Sequence, residues 1–469
     1  TQAQPLPVAR PLWQRLMPAL IVLGLLVVAG LAGRAQPFLG TQFPEQWNLG
    51  LRAPIDAFQG WVISNRATHP VFTYFFSPLS STIDVGMRFV EGVLLSTPWI
   101  VVVVAFGLLG FLLAGLRLGL GCMAGLLLMG LFGLWEQSLQ TLALMLFSVL
   151  CALLIGIPLG ILAARSDRFD RVLRPILDAM QTMPAFVYLI PVLLFFGVAR
   201  VPAVISTLVY AIPPAIRLTN LGIRQVSPPA IEAARAFGAT PHQMLFQVQL
   251  PLALPSIMAG VNQTIMMALG MVVIAAMIGA GGLGREVLVA LQRLQVGLAF
   301  EAGLAIVVLA IILDRLSDAL SKLDFSDLGR PRTLHLPTWL PTHWESEIYR
   351  RANRLNVLSE IPARLLSRFA RTPEGQRRIR AAAPLLNSAL VLAVLYVIAL
   401  LVPIGSFPDE WRLSLRGPAD AAVAWMRDNL YQIGDTPFGT GPFSDFLTIY
   451  LLNPVRTLLR DLPPWPVVA

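Results

Sequence analysis

Long apolar stretches are the feature that most constrains how this chain folds. A membrane-spanning helix needs about 20 mostly apolar residues. In lipid, every backbone polar group must be bonded within the protein, so such stretches fold as helices. The sequence therefore predicts an all-α, polytopic helical bundle with about nine membrane helices. The apolar runs cover residues 16–33, 93–116, 118–134, 139–164, 184–198, 202–216, 254–278, 298–313 and 381–404.

The composition agrees with a lipid-embedded protein. Of the 469 residues, 56% are hydrophobic and 13% are charged, whereas soluble domains carry about 25% charged residues. The mean hydropathy is +0.70. Cys122 and Cys151 lie inside apolar runs and the four histidines show no ligand-like spacing, so neither a disulfide nor a metal site is expected.

The positive charge of the chain follows its predicted topology. The net charge of +9 would also suit nucleic-acid binding, but the basic residues cluster in connections between the apolar runs. Arginines occupy 165–174 and 217–235, and residues 322–380 hold twelve Lys and Arg against six acidic residues. A cytoplasmic N-terminus places all three connections in the cytoplasm, as the positive-inside rule requires. We therefore expect a lipid bilayer, and no nucleic acid, as the surroundings.

The N-terminal region, 1–134, combines an anchor helix, a surface segment and two further spans. The run Leu16–Gly33 is long for a signal peptide, which is the alternative, and is interpreted as the anchor. Residues 37–91 mix aromatic and polar residues, a pattern typical of segments lying at the membrane surface.

A polar connection over 219–251 carries the strongest functional signal. Ser227 is a natural N-cap, and Pro228 suits the first turn of a helix. Gly238 is expected to end this helix, and Thr240-Pro241 can begin a second one. The sequence thus predicts a short helix, a glycine bend and another helix on the cytoplasmic face.

This stretch resembles the EAA loop of ABC importer permeases. Its pattern is E-A-A, three residues, G, nine residues, then I-x-L-P. The residues of this chain that match it are Glu232, Ala233, Ala234, Gly238, Leu250 and Pro251, and Val248 stands where isoleucine is usual. The resemblance implies a type I ABC importer permease fold in a core domain at 135–320, with the loop docking as a coupling helix on a separate ATPase subunit.

The same resemblance implies that this chain is a transport subunit and not an enzyme. The sequence has no Walker phosphate loop, so no catalytic residue and no bound cofactor are expected here. ATP and Mg²⁺ would bind to the partner ATPase, of which two copies are expected. ATP-driven closure of that dimer would move the membrane helices between inward-open and outward-open states.

Two flanking stretches, 181–191 and 278–284, are similar to permeases of the glycine betaine/proline betaine type. The resemblance covers about 135–321. It implies import of a small methylated-amine solute, such as a betaine, choline, carnitine or trimethylamine N-oxide. An extracytoplasmic binding protein would deliver the solute, and the bacterial inner membrane would be the location.

Candidate residues for the translocation path are less specific. A quaternary ammonium group is held by aromatic faces, although aromatic residues in membrane helices also serve as packing. The candidates on the core helices are Phe186, Tyr188, Phe195, Tyr210, Asn262, Gln263 and Thr264. A second set is expected to shape a gate or a tight re-entrant turn: Pro184, Gly279, Gly281 and Gly284.

The alternative function is an ion-coupled secondary transporter. Such a carrier should contain buried ionisable residues and inverted repeats. No acidic residue is expected deep in the core spans, and the repeat in this chain is parallel, so the sequence favours the ATP-driven importer.

That repeat relates residues 43–65 to 407–429, with eleven identities in twenty-three positions at a constant offset of 364. Each copy follows a single apolar run, which indicates duplication. After a basic cytoplasmic linker at 321–380, we expect residues 381–469 to begin a second permease unit. The natural protein is then expected to continue beyond Ala469, with a second EAA loop. The alternatives are a vestigial copy, or a complete chain that forms a homodimer.

Overall fold

The computed structural model describes residues 52–321 except 198 and 277, together with 383–401, 407–431, 439–461 and the isolated glycines 24 and 50. Every regular element in these ranges is a helix, so the predicted all-α class is confirmed there. The predicted anchor Leu16–Gly33, apart from Gly24, and the linker residues 322–380 lie outside the described part. The chain divides into a larger compact unit, Val62–Asp420, and a smaller one, Thr1–Trp61 with Ala421–Ala469.

Between residues 52 and 131 the structure describes four α-helices. The first, α1, begins at Arg52, and a π-helical turn at Phe72–Phe76 leads into the second. The second and third helices are separated by a bend of 102° at Thr97 and Pro98. The predicted span 93–116 thus contains the bend, and it covers the last turn of α2 and all of α3. The bounds are α1 Arg52–Asn65, α2 Ser77–Ser96, α3 Trp99–Ala114 and α4 Leu116–Leu131.

The next four helices of the larger unit begin the core. The first of them is long enough to cross the membrane on its own, as is the fourth. The second and third form another bent pair, at 104°. Their bounds are α5 Trp135–Arg165, α6 Asp167–Thr182, α7 Ala185–Phe196 and α8 Arg200–Arg224.

The remaining helices of the core include the cytoplasmic loop. Two of them are also long and apolar enough to span the membrane, one as the continuous helix Pro241–Met271 and one as Val296–Ser321. The bounds are α9 Pro228–Ala236, α10 Pro241–Gln243, a π-helical turn Met244–Gln249, α11 Leu250–Ala276, α12 Gly282–Gln292 and α13 Val296–Ser321.

Small residues bring the core helices close together. In α5, Gly156 faces Ala215 and Gly160 faces Thr219 of α8, and a Cβ at Gly160 would lie 2.6 Å from that threonine's Cβ. Glycine at a four-residue spacing is the usual means of close helix packing in membranes. The helices α5, α8 and α11 therefore form the tightly packed centre of the larger unit.

The described residues contain four helices that could each span a membrane, or up to six spans if each bent pair counts as one. Two shorter apolar helices, Leu116–Leu131 and Ser388–Ala399, lie within other predicted runs. The predicted total of nine crossings therefore stays a prediction.

The second copy of the repeat contains helices that match those of the first copy. Arg416 opens its first long helix, as Arg52 opens α1, at the same offset of 364 residues. A π-helical turn and a helix with Pro at its second position follow in both copies, at Ser77-Pro78 and at Asn453-Pro454. The bounds are α14 Ala383–Leu401, α15 Arg416–Leu430, α16 Thr440–Phe446, a π-helical turn Leu447–Leu452 and α17 Asn453–Asp461.

Although the sequence led us to expect no acidic residue deep in the core spans, three carboxylates are buried in the larger unit. Glu91 pairs with Arg200, Asp170 with Arg174, and Glu301 with Arg416. All three acids lie within six residues of a helix end and each is paired with an arginine. This is the usual arrangement of a buried structural ion pair.

Candidate functional site

The cytoplasmic loop has the predicted helix–bend–helix form. The helix α9 ends in a turn at Gly238, whose φ of +80° lies in the left-handed region. The amide of Gly238 donates to the carbonyl of Arg235 at 2.9 Å. Ser227 occupies the N-cap position of α9, but its side chain makes no capping hydrogen bond. The bend is therefore held by backbone bonds around the glycine.

The second helix of the loop is fixed by a reciprocal cap. The Gln243 amide donates to Thr240 Oγ1 at 3.3 Å, and the Thr240 amide donates to Gln243 Oε1 at 2.8 Å. This capping box satisfies two otherwise free amides at the helix start. The helix then continues through the π-helical turn into α11 without interruption.

One face of the loop packs against the ends of three membrane helices. Val226 and Leu245 are buried together with residues of α8 and α11, and Ile231 of α9 packs against the same cluster. Ile157 and Ile161 of α5 complete it. The loop therefore packs against the ends of the membrane helices.

The opposite face of the loop is exposed. Glu232, Ala233 and Gly238 are open to solvent, and Ala234 is partly covered. Leu250 and Pro251 lie in the first turn of α11, where Leu250 packs against the buried cluster and Pro251 is exposed. The six residues of the pattern thus form two groups. Four lie on α9 and at the bend, and the other two, Leu250 and Pro251, lie in the first turn of α11.

Sequence reasoning missed Phe237, which is the most exposed large apolar side chain among the described residues, at 91%. It directly precedes Gly238 and occupies the C-cap of α9. A highly exposed aromatic side chain at a tight bend is available to bind another protein. An apolar residue beside the glycine of a polar cytoplasmic loop was the signal that could have revealed it.

An ionic network at the ends of α6 and α8 lies beside the loop. Asp170 is buried, and it accepts from Asn220 at 2.7 Å and pairs with Arg174 at 2.6 Å. Arg224 bonds Asp167 at 2.7 Å and the carbonyl of Ala163 at 2.8 Å. The hydrogen bond with Asp170 raises the pKa of the Arg174 guanidinium.

The predicted path aromatics occupy three different environments. Tyr188 and Tyr210 meet edge to face, with ring centroids 6.2 Å apart, and the Tyr188 hydroxyl donates to the carbonyl of Met180. Phe195 stacks on Phe76 at 5.0 Å. Phe186 is exposed. The structure therefore joins only the two tyrosines of this set.

A cavity of about 480 Å³ lies beside the Phe195 stack. Its wall combines the aromatic rings of Phe72, Phe76 and Phe195 with the charged side chains of Arg66 and Asp84. Arg66, Phe72 and Phe76 precede α2, and Phe195 lies at the end of α7, on the side of the membrane that the charge pattern assigns to the extracytoplasmic space.

The predicted polar residues of the path lie on one turn of α11. Gln263 is exposed and Asn262 is partly covered, whereas Thr264 is fully buried. Within the described residues, the Thr264 hydroxyl and the Asn262 side-chain oxygen have no hydrogen-bond partner. These two groups make this turn a polar point in an apolar helix, and six other buried side-chain atoms on other described helices are also without a partner.

The predicted glycine turn follows α11. Gly279 and Gly281 have φ values of +92° and +76°, whereas Gly284 lies inside α12 with ordinary helical geometry. Gly282, which sequence reasoning did not select, also has a positive φ, and a Cβ there would overlap the Thr141 hydroxyl. Pro184 is the N-cap of α7, at the sharp bend after α6.

The first amides of α12 are held by side chains of α5. Gln140 Oε1 accepts from the Gly282 amide at 3.1 Å, and Thr141 Oγ1 accepts from the Leu283 amide at 2.8 Å. These bonds tie the glycine turn to the long helix α5. Among the described residues, no cluster of His, Cys, Asp or Glu could hold a metal ion.

Known proteins similar to the chain agree on one type of function. Residues 156–323 match the family described as "Binding-protein-dependent transport system inner membrane component". The glycine betaine/proline betaine transport system permease protein ProW of Escherichia coli (strain K12) is 48% identical over 269 residues, which cover 57% of this chain and 75% of ProW. The glycine betaine transport system permease protein OpuAB of Bacillus subtilis (strain 168) is 45% identical over 266 residues, covering 56% of this chain and 91% of OpuAB.

Among solved structures, an inward-facing form of the MetNI methionine ABC transporter aligns with 40% of this chain and 94% of its own. The TM-score is 0.37 and the sequence identity is 23%.

Proposed function

The chain belongs to the glycine betaine/proline betaine permease family of ABC importers, and we propose that it forms the translocation path for a small methylated-amine solute. Permeases of this family are membrane subunits without enzymatic activity of their own, and ATP is hydrolysed by a partner subunit. The multi-pass fold belongs in a membrane, which in the proposed setting is the bacterial inner membrane.

The exposed bend of the cytoplasmic loop is the observation that carries the proposal. Phe237 projects from the bend, Glu232 lies on the exposed side of α9, and the opposite face is anchored on α5, α8 and α11. A surface of this kind can bind a moving partner and transmit the motion of that partner to the helices packed against its other face. We assign the ATPase contact to Glu232, Ala233, Ala234, Phe237 and Gly238, with ATP and Mg²⁺ bound by the ATPase.

The chemistry of the solute is proposed from the family and from the tyrosine pair. A trimethylammonium group has no N–H to donate and is attracted to the faces of aromatic rings. Tyr188 is buried and Tyr210 is partly exposed, and the two rings meet at 66°, so a solute would approach the pair at Tyr210. We propose a betaine-type solute and place these two rings on its path.

The ion-coupled carrier that the sequence left as an alternative is not supported. Family membership points to an ATP-driven system. The three buried acids of the larger unit, Glu91, Asp170 and Glu301, are all bound to arginines, so none is available to bind a coupling ion.

The proposed subunits of the complex follow from the separate functions that a binding-protein-dependent importer requires. An ATPase and an extracytoplasmic binding protein are the partners that the family implies. We propose two ATPase copies, one for each coupling loop, and a second permease, either fused to this chain or contributed by another one.

Uptake by the reconstituted complex tests the proposal. Proteoliposomes holding the permease with its ATPase and binding protein should accumulate at least one of glycine betaine, choline, carnitine and trimethylamine N-oxide. Accumulation should require ATP and should stop with an ATPase variant that cannot hydrolyse it. Failure with all four solutes, together with clear uptake of an unrelated one, would refute the solute class. Uptake without ATPase, driven by an ion gradient, would refute the importer.

A further inference from the structure

A groove at the extracytoplasmic end of the larger unit holds part of the second repeat copy. The groove is formed by Trp99, Gly130, Leu131, Trp135, Gly297 and Glu301, and we call it the repeat groove. These residues come from the ends of α3, α4, α5 and α13 that the charge pattern puts on the same side of the membrane. The segment seated in it is Phe407–Asp420.

The apolar half of the repeat groove receives an aromatic ring. Phe407 is buried, with its ring centroid 5.1 Å from that of Trp99 and 5.8 Å from that of Trp135. Gly130 gives it room, because a Cβ there would overlap the phenyl ring. The Leu413 amide donates to the Leu131 carbonyl at 2.7 Å, which fixes the backbone of the segment beside the ring.

The polar half of the repeat groove is built around one carboxylate. Glu301 is completely buried and accepts from the Leu415 amide at 2.6 Å and from Arg416 Nε at 2.7 Å. Asp420 in turn accepts from the Gly297 amide at 2.7 Å. A buried carboxylate is tolerated only when it is paired and hydrogen-bonded, so the segment completes a site that would otherwise be unfavourable.

The residues that make these contacts recur in the first copy of the repeat. Phe407, Trp411, Leu413, Arg416 and Asp420 correspond, at the offset of 364, to Phe43, Trp47, Leu49, Arg52 and Asp56. All five are identical. The duplicated sequence therefore carries a second full set of docking residues.

The described part of the first set is not engaged with a groove. Arg52 and Asp56 bond each other at 3.5 Å, and their side chains are 94% and 62% exposed. The equivalent Arg416 and Asp420 bond Glu301 and Gly297 instead. The same two side chains thus pair with each other in one copy and with the repeat groove in the other.

We propose that the segment 43–56 docks in the equivalent repeat groove of the second permease of the importer. This rests on the second permease proposed above. The repeat groove of this chain is already filled by 407–420, and both oxygens of Glu301 are bonded. A groove built like the repeat groove would match the segment in charge and shape, because Arg52 could pair with a carboxylate equivalent to Glu301 and Phe43 could fill a slot equivalent to that of Phe407. Segment 407–420, which precedes the second permease unit in the sequence, would then bind the first unit, and segment 43–56, which precedes the first unit, would bind the second.

Photo-crosslinking in the assembled transporter tests the docking directly. The photoreactive residue p-benzoyl-phenylalanine is placed at position 43 or, as the reference, at position 407, and the linked peptides are identified by mass spectrometry. Position 407 should link to the peptides that contain Trp99 or Trp135. Position 43 should link to the second permease, at a groove peptide of matching sequence. Links from position 43 to lipid, to the binding protein, or to Trp99 and Trp135 of its own chain would overturn the proposal.

Charge reversal provides the second measurement. Arg52→Glu should lower the yield of complexes that contain two permeases by about tenfold or more, because it leaves a buried carboxylate unpaired. Arg88→Glu is the matched control, since Arg88 also forms an exposed i,i+4 pair, with Asp84 at 2.8 Å, and it should leave the yield unchanged. Equal yields for both variants would contradict the docking.

The mass of the intact complex separates this proposal from the proposed function. A complex with a single permease would refute both. Two permeases with normal uptake, but with position 43 linked elsewhere, would refute the docking alone.

Discussion

The side-chain amide of Asn220 donates to Oδ1 of Asp170 at 2.7 Å, and this bond joins α8 to α6 at the cytoplasmic end of the bundle. Arg174 and Arg224 converge on the same carboxylate, at 2.6 Å and 3.8 Å. The first helix of the cytoplasmic loop, α9, has its N-cap at Ser227, three residues after Arg224. The network therefore holds together the helix ends against which the loop packs.

Asp170→Ala should therefore destabilise the subunit. Only 7% of the Asp170 side chain is exposed, and its removal leaves two arginines and an amide without their common acceptor, at a cost of about 3 kcal/mol. Thermal unfolding in detergent should show a clear loss. The matched control is Asp178→Ala on the same helix, whose side chain is 65% exposed and pairs with Arg217; it should cost about 0–1 kcal/mol. Equal losses would show that the network has no special role.

Gly238→Leu should abolish uptake and weaken the association with the ATPase. The φ of +80° costs a side-chain-bearing residue roughly 1–2 kcal/mol, although a Cβ there would meet no neighbour. Gly238→Asn should retain more transport, because asparagine tolerates the left-handed region. The affinity of the binding protein for its solute should not change.

The control for this prediction is Gly121→Leu, at an open helical position of α4. Normal transport by Gly238→Leu would contradict the assignment of the bend to coupling.

Phe237→Ala should weaken binding of the ATPase subunit by about tenfold to a hundredfold, because exposed aromatics at a contact often contribute roughly 2 kcal/mol. Binding is measured between the purified ATPase and the permease in detergent. Phe111→Ala, at an exposed position of the apolar helix α3, should leave it unaltered. If Phe237→Ala binds normally, the contact lies elsewhere on the loop.

Tyr210→Leu should lower the uptake rate more than Tyr210→Phe does, since a phenyl ring keeps the face that attracts a trimethylammonium group. Initial rates at saturating binding protein provide the measurement, with thermal stability as the check on folding. Equal losses in both variants would mean that the hydroxyl or the packing matters and that the ring face does not contact the solute.

The sequence predicted the class of the protein and the form of its coupling loop because these depend on local patterns. Apolar runs specify helices in lipid, and Gly238, which lies between the helix starting at Pro228 and the start signal Thr240-Pro241, specifies a bend. The bends at Pro98 and Pro184 were not foreseen as breaks of about 100°. Periodicity does not distinguish a straight span from a bent one, since both are equally apolar.

The features that the sequence did not predict depend on contacts between residues that are far apart in the sequence. Gly282 meets Thr141 across 141 positions of sequence, and Glu301 meets Arg416 across 115. The acidic residue lies near the start of an apolar run, and only the fold reveals that the run buries it against the repeated segment. The roles of Tyr188, Tyr210 and Thr264 in the path stay predictions, because they depend on where the second permease sits.

The uninterrupted helix from Pro241 to Met271 has a mechanical consequence. Its 31 residues make a rod about 46 Å long at 1.5 Å per residue. The helix begins within the cytoplasmic loop, and Asn262 and Thr264 lie in the half of the helix that is farther from that loop. A continuous helix can act as a lever arm, so a tilt of only about 5° at its start would displace the far end by about 4 Å over that length. A displacement of that size is about the width of a methyl group, and it would carry motion of the loop to the far side of the membrane without unfolding any turn.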